Sequence, residues 1–331
     1  MIEKQKKVRA LGLCSGGLDS IVSALVLRKN NVEVEWITFE TPFFSPEKAI
    51  KASKTTGIPL TIKNITEEYL TMLKNPHCGY GRNMNPCMDC HSLMFRIAGG
   101  IMKESGFDFL FSGEVLGQRP MSQTLSSLRY VEKHSGYEGY ILRPLSAKRL
   151  PVTIPEKEGR INRELLLGFS GRSRKPQAAL AGEFGISDYP NPAGGCLLTD
   201  KGFSRRLKDL FEHQEYFSEK ELYLLKYGRH LRLDQSKKII VGRNQSDNEN
   251  IEKLYNPASD ILLKLNLFPG PTTVMPNGGN REIIILAASI CAGYGRVPEY
   301  SQIDVTARTP EGNETIKVLA IPPGKIRHLM I

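Results

Sequence analysis

The 331-residue sequence predicts an α/β fold, a parallel sheet with helices on both faces, followed by a smaller α+β C-terminal domain. Three observations carry this. Through residue 111, short apolar runs alternate with segments of helical periodicity, the order that builds βαβ units. A double-glycine turn joins the first such run to the first helical segment. Beyond residue 200 the chain becomes basic and helical, then returns to strand-like runs of a different spacing.

Taken in order, Val8-Arg9-Ala10-Leu11-Gly12-Leu13-Cys14 is an apolar run suited to a buried strand. Residues 21–29 place Ile21, Val22, Leu25 and Val26 at helical spacing, and residues 32–39 alternate as a second strand. Ser45-Pro46-Glu47 opens a helix, with Ser45 as cap and Pro46 in the first turn. Residues 58–62 form a third strand and 66–73 a helix. The breaker-rich loop 75–86 hands over to a helix from Cys87 to Glu104, with Leu93, Met94, Ile97 and Ile101 on one face. Residues 108–111 and 140–145 give a fourth and a fifth strand, with Arg143 read as a surface charge. Residues 147–186 read as basic and helical, including a helix from about Pro176 to Phe184 that stops at Gly185.

The domains are expected at 1–200 and 201–331. In the second, helical sequence covers 201–225, a strand ends in a turn at 237–244, a helix lies near 282–292, and strands fall at 302–307 and 315–321.

Composition is that of a globular protein, with 40% hydrophobic and 24% charged residues. Lys and Arg number 45 against 35 Asp and Glu, a formal charge of +10 that suits a polyanionic partner. The charged start shows no signal peptide and is expected to lead straight into the first strand. No apolar run approaches membrane-spanning length, so a cytoplasmic protein with no membrane partner is expected. In that compartment the six cysteines are thiols or metal ligands before they are disulfides.

The chemistry centres on Ser15-Gly16-Gly17-Leu18-Asp19-Ser20, between strand and helix. Glycines let the backbone approach a phosphate, and the open amides of a helix's first turn point at it. Ser15 and Ser20 offer hydroxyl donors, and Asp19 is an acceptor able to hold Mg²⁺ against a pyrophosphate. No Lys follows the glycines, which separates the loop from the kinase-type phosphate loop. The absence of Gly-x-Gly-x-x-Gly argues against a dinucleotide. Ligands on parallel sheets sit at the carboxyl ends of strands, where Phe39, Gly113, Gln118 and Arg119 are also expected.

These residues resemble the pyrophosphate loop of the PP-loop ATPases, which split ATP into AMP and pyrophosphate while adenylating a substrate oxygen. The resemblance implies an adenine nucleotide α-hydrolase-like sheet, HUP-type in architecture. It also implies an ATP cradle built from Cys14, Ser15, Gly16, Gly17, Asp19, Ser20, Phe39 and Gly113, although Cys14 by its apolar setting, like Cys291, reads as a core residue.

Cys87 and Cys90 open a helix, and Cys196 follows a Gly-Gly turn far along the chain. A helix N-terminus is expected to lower the thiol pKa there. The residues leave three readings open: a redox pair, a zinc site completed by Cys78 or His91, or an iron–sulfur cluster with one iron free of protein ligands. Within the PP-loop enzymes the segment Asn85-Pro86-Cys87-Met88-Asp89-Cys90-His91, with Cys196 after Lys175-Pro176, resembles the tRNA 2-thiouridine synthetases. Cys87 stands where that group often has Asp, and His91 where it has Asn; a cysteine there is similar to the cluster-dependent thiolases. That resemblance implies a [4Fe-4S] cluster on Cys87, Cys90 and Cys196.

In the C-terminal part, Tyr227-Gly228-Arg229-His230-Leu231-Arg232, Ile240-Val241-Gly242-Arg243-Asn244 and Asn248-Glu249-Asn250 resemble the NFACT RNA-binding module. Arg and Lys there would meet phosphates, and Tyr and His would stack on bases.

The expectation is an ATP-dependent tRNA sulfurtransferase that adenylates a uridine carbonyl oxygen. It then inserts sulfur from sulfide or a persulfide carrier, with Asp19, Cys90 and Cys196 in the chemistry and ATP, Mg²⁺ and the cluster as cofactors. The alternatives are an AMP-forming amide ligase of the same fold and a non-catalytic RNA-binding adaptor.

Overall fold

The structure, a computed structural model, describes residues 7–190 and 196–331. The charged start (1–6) and residues 191–195, with the Gly194-Gly195 turn, lie outside the described residues. The chain divides into two compact units, Met1–Thr199 and Asp200–Ile331.

The first unit runs β1 (Arg9–Leu13), α1 (Leu18–Lys29), β2 (Glu33–Glu40), α2 (Glu47–Thr56), β3 (Leu60–Asn64), α3 (Thr66–Lys74), α4 (Cys87–Glu104), β4 (Phe109–Ser112), α5 (Leu125–Ser135), β5 (Ile141–Leu142), α6 (Ile154–Lys157) and α7 (Lys175–Glu183). Its five strands are all parallel, in the order β3-β2-β1-β4-β5. Strand order reverses between β1 and β4, where a crevice opens at the carboxyl edge. The apolar run of β1 is buried because helices cover both faces: Ala10, Trp36 and Phe111 are fully enclosed with Ile21 and Leu27 of α1.

Glycines without room for a side chain fix the crevice. At Gly16, φ is +69° and an added Cβ would lie 2.1 Å from the Lys48 carbonyl carbon in α2. At Gly113, just past β4, an added Cβ would lie 2.4 Å from the Asp19 backbone. The loop is therefore held by backbone-to-backbone packing on two sides.

Several expectations change. Arg143 is an interior group at 2% exposure, not a surface charge. Its Nε donates to Glu114 Oε2 at 3.0 Å, and Nη1 pairs with Glu132. Glu114 also takes His91 Nδ1 at 3.0 Å and the Ser112 hydroxyl at 3.1 Å. A buried charge just past β5 is thus paired with Glu114 and Glu132, which come from other elements. β5 itself has two residues rather than six, because Pro144 offers no N–H to the ladder. Residues 147–186 are mostly turns and loops, with α6 and α7 the only α-helices there; Pro151, Gly159, Gly168 and Gly171 fall between the helical segments. The helix after Ser45 starts at Glu47 with Pro46 at the cap position.

The second unit runs α8 (Lys201–His213), α9 (Glu219–Leu224), β6 (Arg229–Arg232), β7 (Lys238–Val241), α10 (Gln245–Leu254), β8 (Ile261–Leu265), β9 (Thr273–Met275), α11 (Arg281–Gly293), β10 (Gln302–Thr309) and β11 (Gly312–Leu319). Its strands form one antiparallel sheet, β11-β10-β8-β9-β7-β6. Ile239, Val241 and Leu263 face Ala288 and Cys291 of α11, while Ile240, Leu262 and Val274 face Ile251 of α10. Cys291 is thus a core residue. The sequence reading left 245–280 unassigned. There α10 is almost wholly polar, anchored by buried Ile251 and by the Asn244 side chain, which accepts the Asp247 N–H.

Two outcomes follow. Gly16→Ala should lower stability by about 1–3 kcal/mol and the melting temperature by several degrees, since it adds left-handed strain to a backbone clash; thermal melts check this. Burial would raise the Glu114 pKa, but Arg143 and His91 outweigh it and lower it from 4.5 to about 2. The unfolded chain then binds the extra proton, so this pair's stabilisation is complete above the ordinary value and is lost as pH falls toward about 2. Melts across pH should show that acid loss in the natural chain. Glu114→Gln should flatten it and lower neutral-pH stability by about 3 kcal/mol, because Arg143 is left short of a carboxylate.

Candidate active site at the carboxyl edge of the parallel sheet

Gly17 caps α1 and, having no side chain, makes no cap bond to the first-turn amides. Ser15 is exposed, and its Oγ accepts the Gly17 N–H at 3.4 Å. Ser20 differs from expectation. It is buried and its hydroxyl donates to the Gly17 carbonyl at 2.8 Å, so it braces the turn from inside. Cys14 lies beneath the loop, where its Sγ accepts the Gly16 N–H at 3.4 Å and burial pushes the thiol up to about 11. Phe39 is likewise enclosed at 4% exposure.

Asp19 stands at the head of α1. Its Oδ2 accepts Gln118 Nε2 at 2.7 Å and lies 3.6 Å from an Arg174 guanidinium nitrogen. Gln118 Oε1 in turn accepts from Gln177 Nε2 at 2.7 Å, and Gln177 is fully buried. Asp19 Oδ1 is buried with no hydrogen-bond partner among the described residues. One oxygen is held and the other is buried without a partner, an arrangement that fits a Mg²⁺ ligand beside a phosphate loop.

The same edge carries the cysteines. α4 starts at Cys87, and His91, one turn on, reaches Glu114 just past β4. Gly113, beside Glu114, is the residue packed on Asp19. Two adjacent contacts therefore link the cysteine-bearing turn to the phosphate loop. Leu197 N–H bonds the Phe43 carbonyl at 3.0 Å, and Asn83 Nδ2 donates to the Thr199 carbonyl at 2.7 Å, which pins the Cys196 turn to the unit.

The three thiols influence one another. Burial first, then the charge of Cys196, holds the Cys90 thiol well above its usual range, although the Tyr69 hydroxyl donates to its sulfur. Burial pushes Cys196 up to about 11, with the Leu198 N–H opposing and Cys87 adding to the rise. The helix-end effect expected to lower these values loses to desolvation at Cys90. Cys87 Sγ accepts Asn85 Nδ2 at 3.4 Å. Among the described residues, the trio is not a set whose ligand atoms all lie within 4.8 Å of one another. A single tetrahedral zinc would hold its thiolates about 3.8 Å apart.

Tyr69, Gln177, Glu114 and Asn83 escaped the sequence reading. None lies in a motif; Tyr69 is a fully buried tyrosine on α3, its ring tilted at 38° to that of Phe43 with centroids 5.5 Å apart. In the second unit, His230 is 1% exposed and cannot stack on a base as expected, and Arg232 pairs with Asp209. Arg229 lies over the Tyr294 ring at 4.9 Å. Asn248 Oδ1 accepts the Thr272 N–H at 3.0 Å.

No helix among the described residues is long and apolar enough to cross a membrane. Residues 5–149 match the family model of the thiamine biosynthesis protein ThiI, and residues 228–330 that of the NFACT protein RNA-binding domain. A probable tRNA sulfurtransferase of Ureaplasma urealyticum is 30% identical over 147 residues, 41% of this chain and 36% of that protein. One from Acholeplasma laidlawii is 29% identical over 153 residues, 41% of this chain and 34% of that protein. The chain thus spans about a third of the length of these curated relatives. Among solved structures, a 4-thiouridine synthetase–RNA complex with bound ATP aligns with 24% identity over 54% of this chain and 51% of that one, at a TM-score of 0.36. The two family models thus match separate, non-overlapping parts of one polypeptide.

Proposed function

We propose that the chain is an ATP-dependent tRNA sulfurtransferase that adenylates a uridine carbonyl oxygen and replaces it with sulfur. The observation that carries this is the meeting, at one sheet edge, of a phosphate loop with Cys87, Cys90 and Cys196. The sulfurtransferase relatives aligned with about two-fifths of the chain, and the RNA-binding family of its C-terminal part, support tRNA as substrate.

ATP phosphates lie on the open amides after Gly17, with Ser15 as a further donor and Asp19 Oδ1 as the oxygen for Mg²⁺. Gln118 and Gln177 fix Asp19 so that this oxygen does not turn away. The uridine oxygen attacks the α-phosphorus, the bond to the β-phosphate oxygen breaks, and pyrophosphate leaves while the loop amides stabilise the added charge. Hydrosulfide then adds to the activated base carbon; AMP leaves with the oxygen and a proton passes to solvent. No net oxidation occurs in that sequence. Cys87, Cys90 and Cys196 would hold a [4Fe-4S] cluster, which when bound supplies an iron without a cysteine ligand as a place for sulfur. The Tyr69 hydroxyl and the burial around Cys90 keep that region dry, which limits loss of the activated base to water.

An anaerobic assay with unmodified tRNA, ATP, Mg²⁺ and sulfide separates the two halves. The natural chain should release pyrophosphate in a tRNA-dependent manner and form thiouridine in nucleoside mass spectra. Asp19→Ala should lower both, on the order of 100-fold. Cys196→Ala should keep tRNA-dependent pyrophosphate release and lose thiouridine. Thiouridine formation at the natural rate by Cys196→Ala would contradict the proposal. So would tRNA binding with no turnover, which is the adaptor's behaviour.

A further inference from the structure

We propose a second metal site, separate from the three thiols above, in which His77, Cys78 and Asp89 bind a divalent transition cation of the zinc class. The ligand atoms of these three residues all lie within 4.8 Å of one another. They come from two places in the fold: His77 and Cys78 from the exposed loop after α3, and Asp89 from the first turn of α4, where it is 7% exposed.

The hydrogen-bond inventory is what singles the cluster out. The Tyr130 hydroxyl of α5 lies 3.0 Å from His77 Nδ1 and 3.0 Å from Asp89 Oδ1. It also faces the Cys78 side chain. One hydroxyl hydrogen therefore meets a nitrogen, a sulfur and a carboxylate oxygen, and can serve one of them well. With His77 and Cys78 deprotonated, the three converging groups present lone pairs to one point, the complement of a cation. An imidazole, a thiolate and a carboxylate suit zinc, whereas Mg²⁺ and Ca²⁺ require oxygen-rich sets.

The surroundings are those of a braced site. Asp89 Oδ2 accepts the Cys78 N–H at 2.8 Å, which fixes the loop to α4, and Tyr130 orients Oδ1. His134 stacks on Tyr130 at 3.8 Å and holds that ring in place. Because His77 and Cys78 are exposed, the fourth position is open to water. Asp89 sits between Cys87 and Cys90, so the cation clamps the 75–86 loop onto the same helical turn. Asn83 of that loop already reaches the Cys196 segment.

The test is a Co²⁺ titration of the full-length chain stripped of metal under reducing conditions, with Cys87, Cys90 and Cys196 replaced by Ala. One Co²⁺ per chain should bind, with a thiolate-to-cobalt charge-transfer band. His77→Ala and Cys78→Ser, both at exposed positions, should each weaken binding by about 10-fold or more, and Cys78→Ser should remove the band. No binding in that background, or a titration unchanged by both variants, overturns the site. Should the triple replacement impair folding, the same titration in the chain with all its cysteines decides the matter. His77→Ala should lower the cobalt stoichiometry by one, and an unchanged stoichiometry overturns the site.

Discussion

The first unit depends on one close approach: the backbone of residue 113 lies directly on the backbone of Asp19, where an added Cβ would come within 2.4 Å. This contact spans the crevice between β1 and β4, the point at which strand order reverses. It sets the height of the phosphate loop against the end of β4. Glu114, the next residue, takes up Arg143 from just past β5 and His91 from α4 in one ion network. The loop that would hold a nucleotide and the helix that carries two cysteines are therefore positioned by neighbouring residues of one strand end. A shift in either is felt by the other.

Electrostatics divide the labour within that edge. Asp19 keeps one oxygen bound to Gln118 and the other unpaired, which suits a cation that arrives with its substrate. Cys90 and Cys196 sit where desolvation raises the thiol pKa, so without metal these two stay protonated thiols. Metal coordination and thiolate formation are then coupled events, and a loaded site releases protons as it forms. The same burial that raises the thiol pKa excludes the water that would consume an adenylated base.

Much of this was legible in the chain itself. The glycine turn, the β-α-β order and the spacing of Cys87 and Cys90 follow from local periodicity and turn chemistry, which neighbouring residues determine. Arg143 was not legible, because its partners Glu114 and Glu132 meet it only once β4, α5 and β5 are assembled. Ser20 looked like a phosphate donor, yet its hydroxyl turns inward to Gly17, a choice made by the helix's first turn. His230 read as a stacking residue, but a strand with helices against it buries that side chain. The polar α10 gave no apolar stripe to detect, since a single buried isoleucine and one cap define it.

The central claim is that Cys196 joins Cys87 and Cys90 in one metal-holding site beside the phosphate loop. Iron and acid-labile sulfide, measured on protein purified and reconstituted without oxygen, test it most directly when Cys196→Ala is measured alongside. The account predicts about four irons per chain with matching sulfide and a broad visible absorption, all lost in the variant. An iron-free natural chain, or iron retained at full stoichiometry in Cys196→Ala, would contradict it.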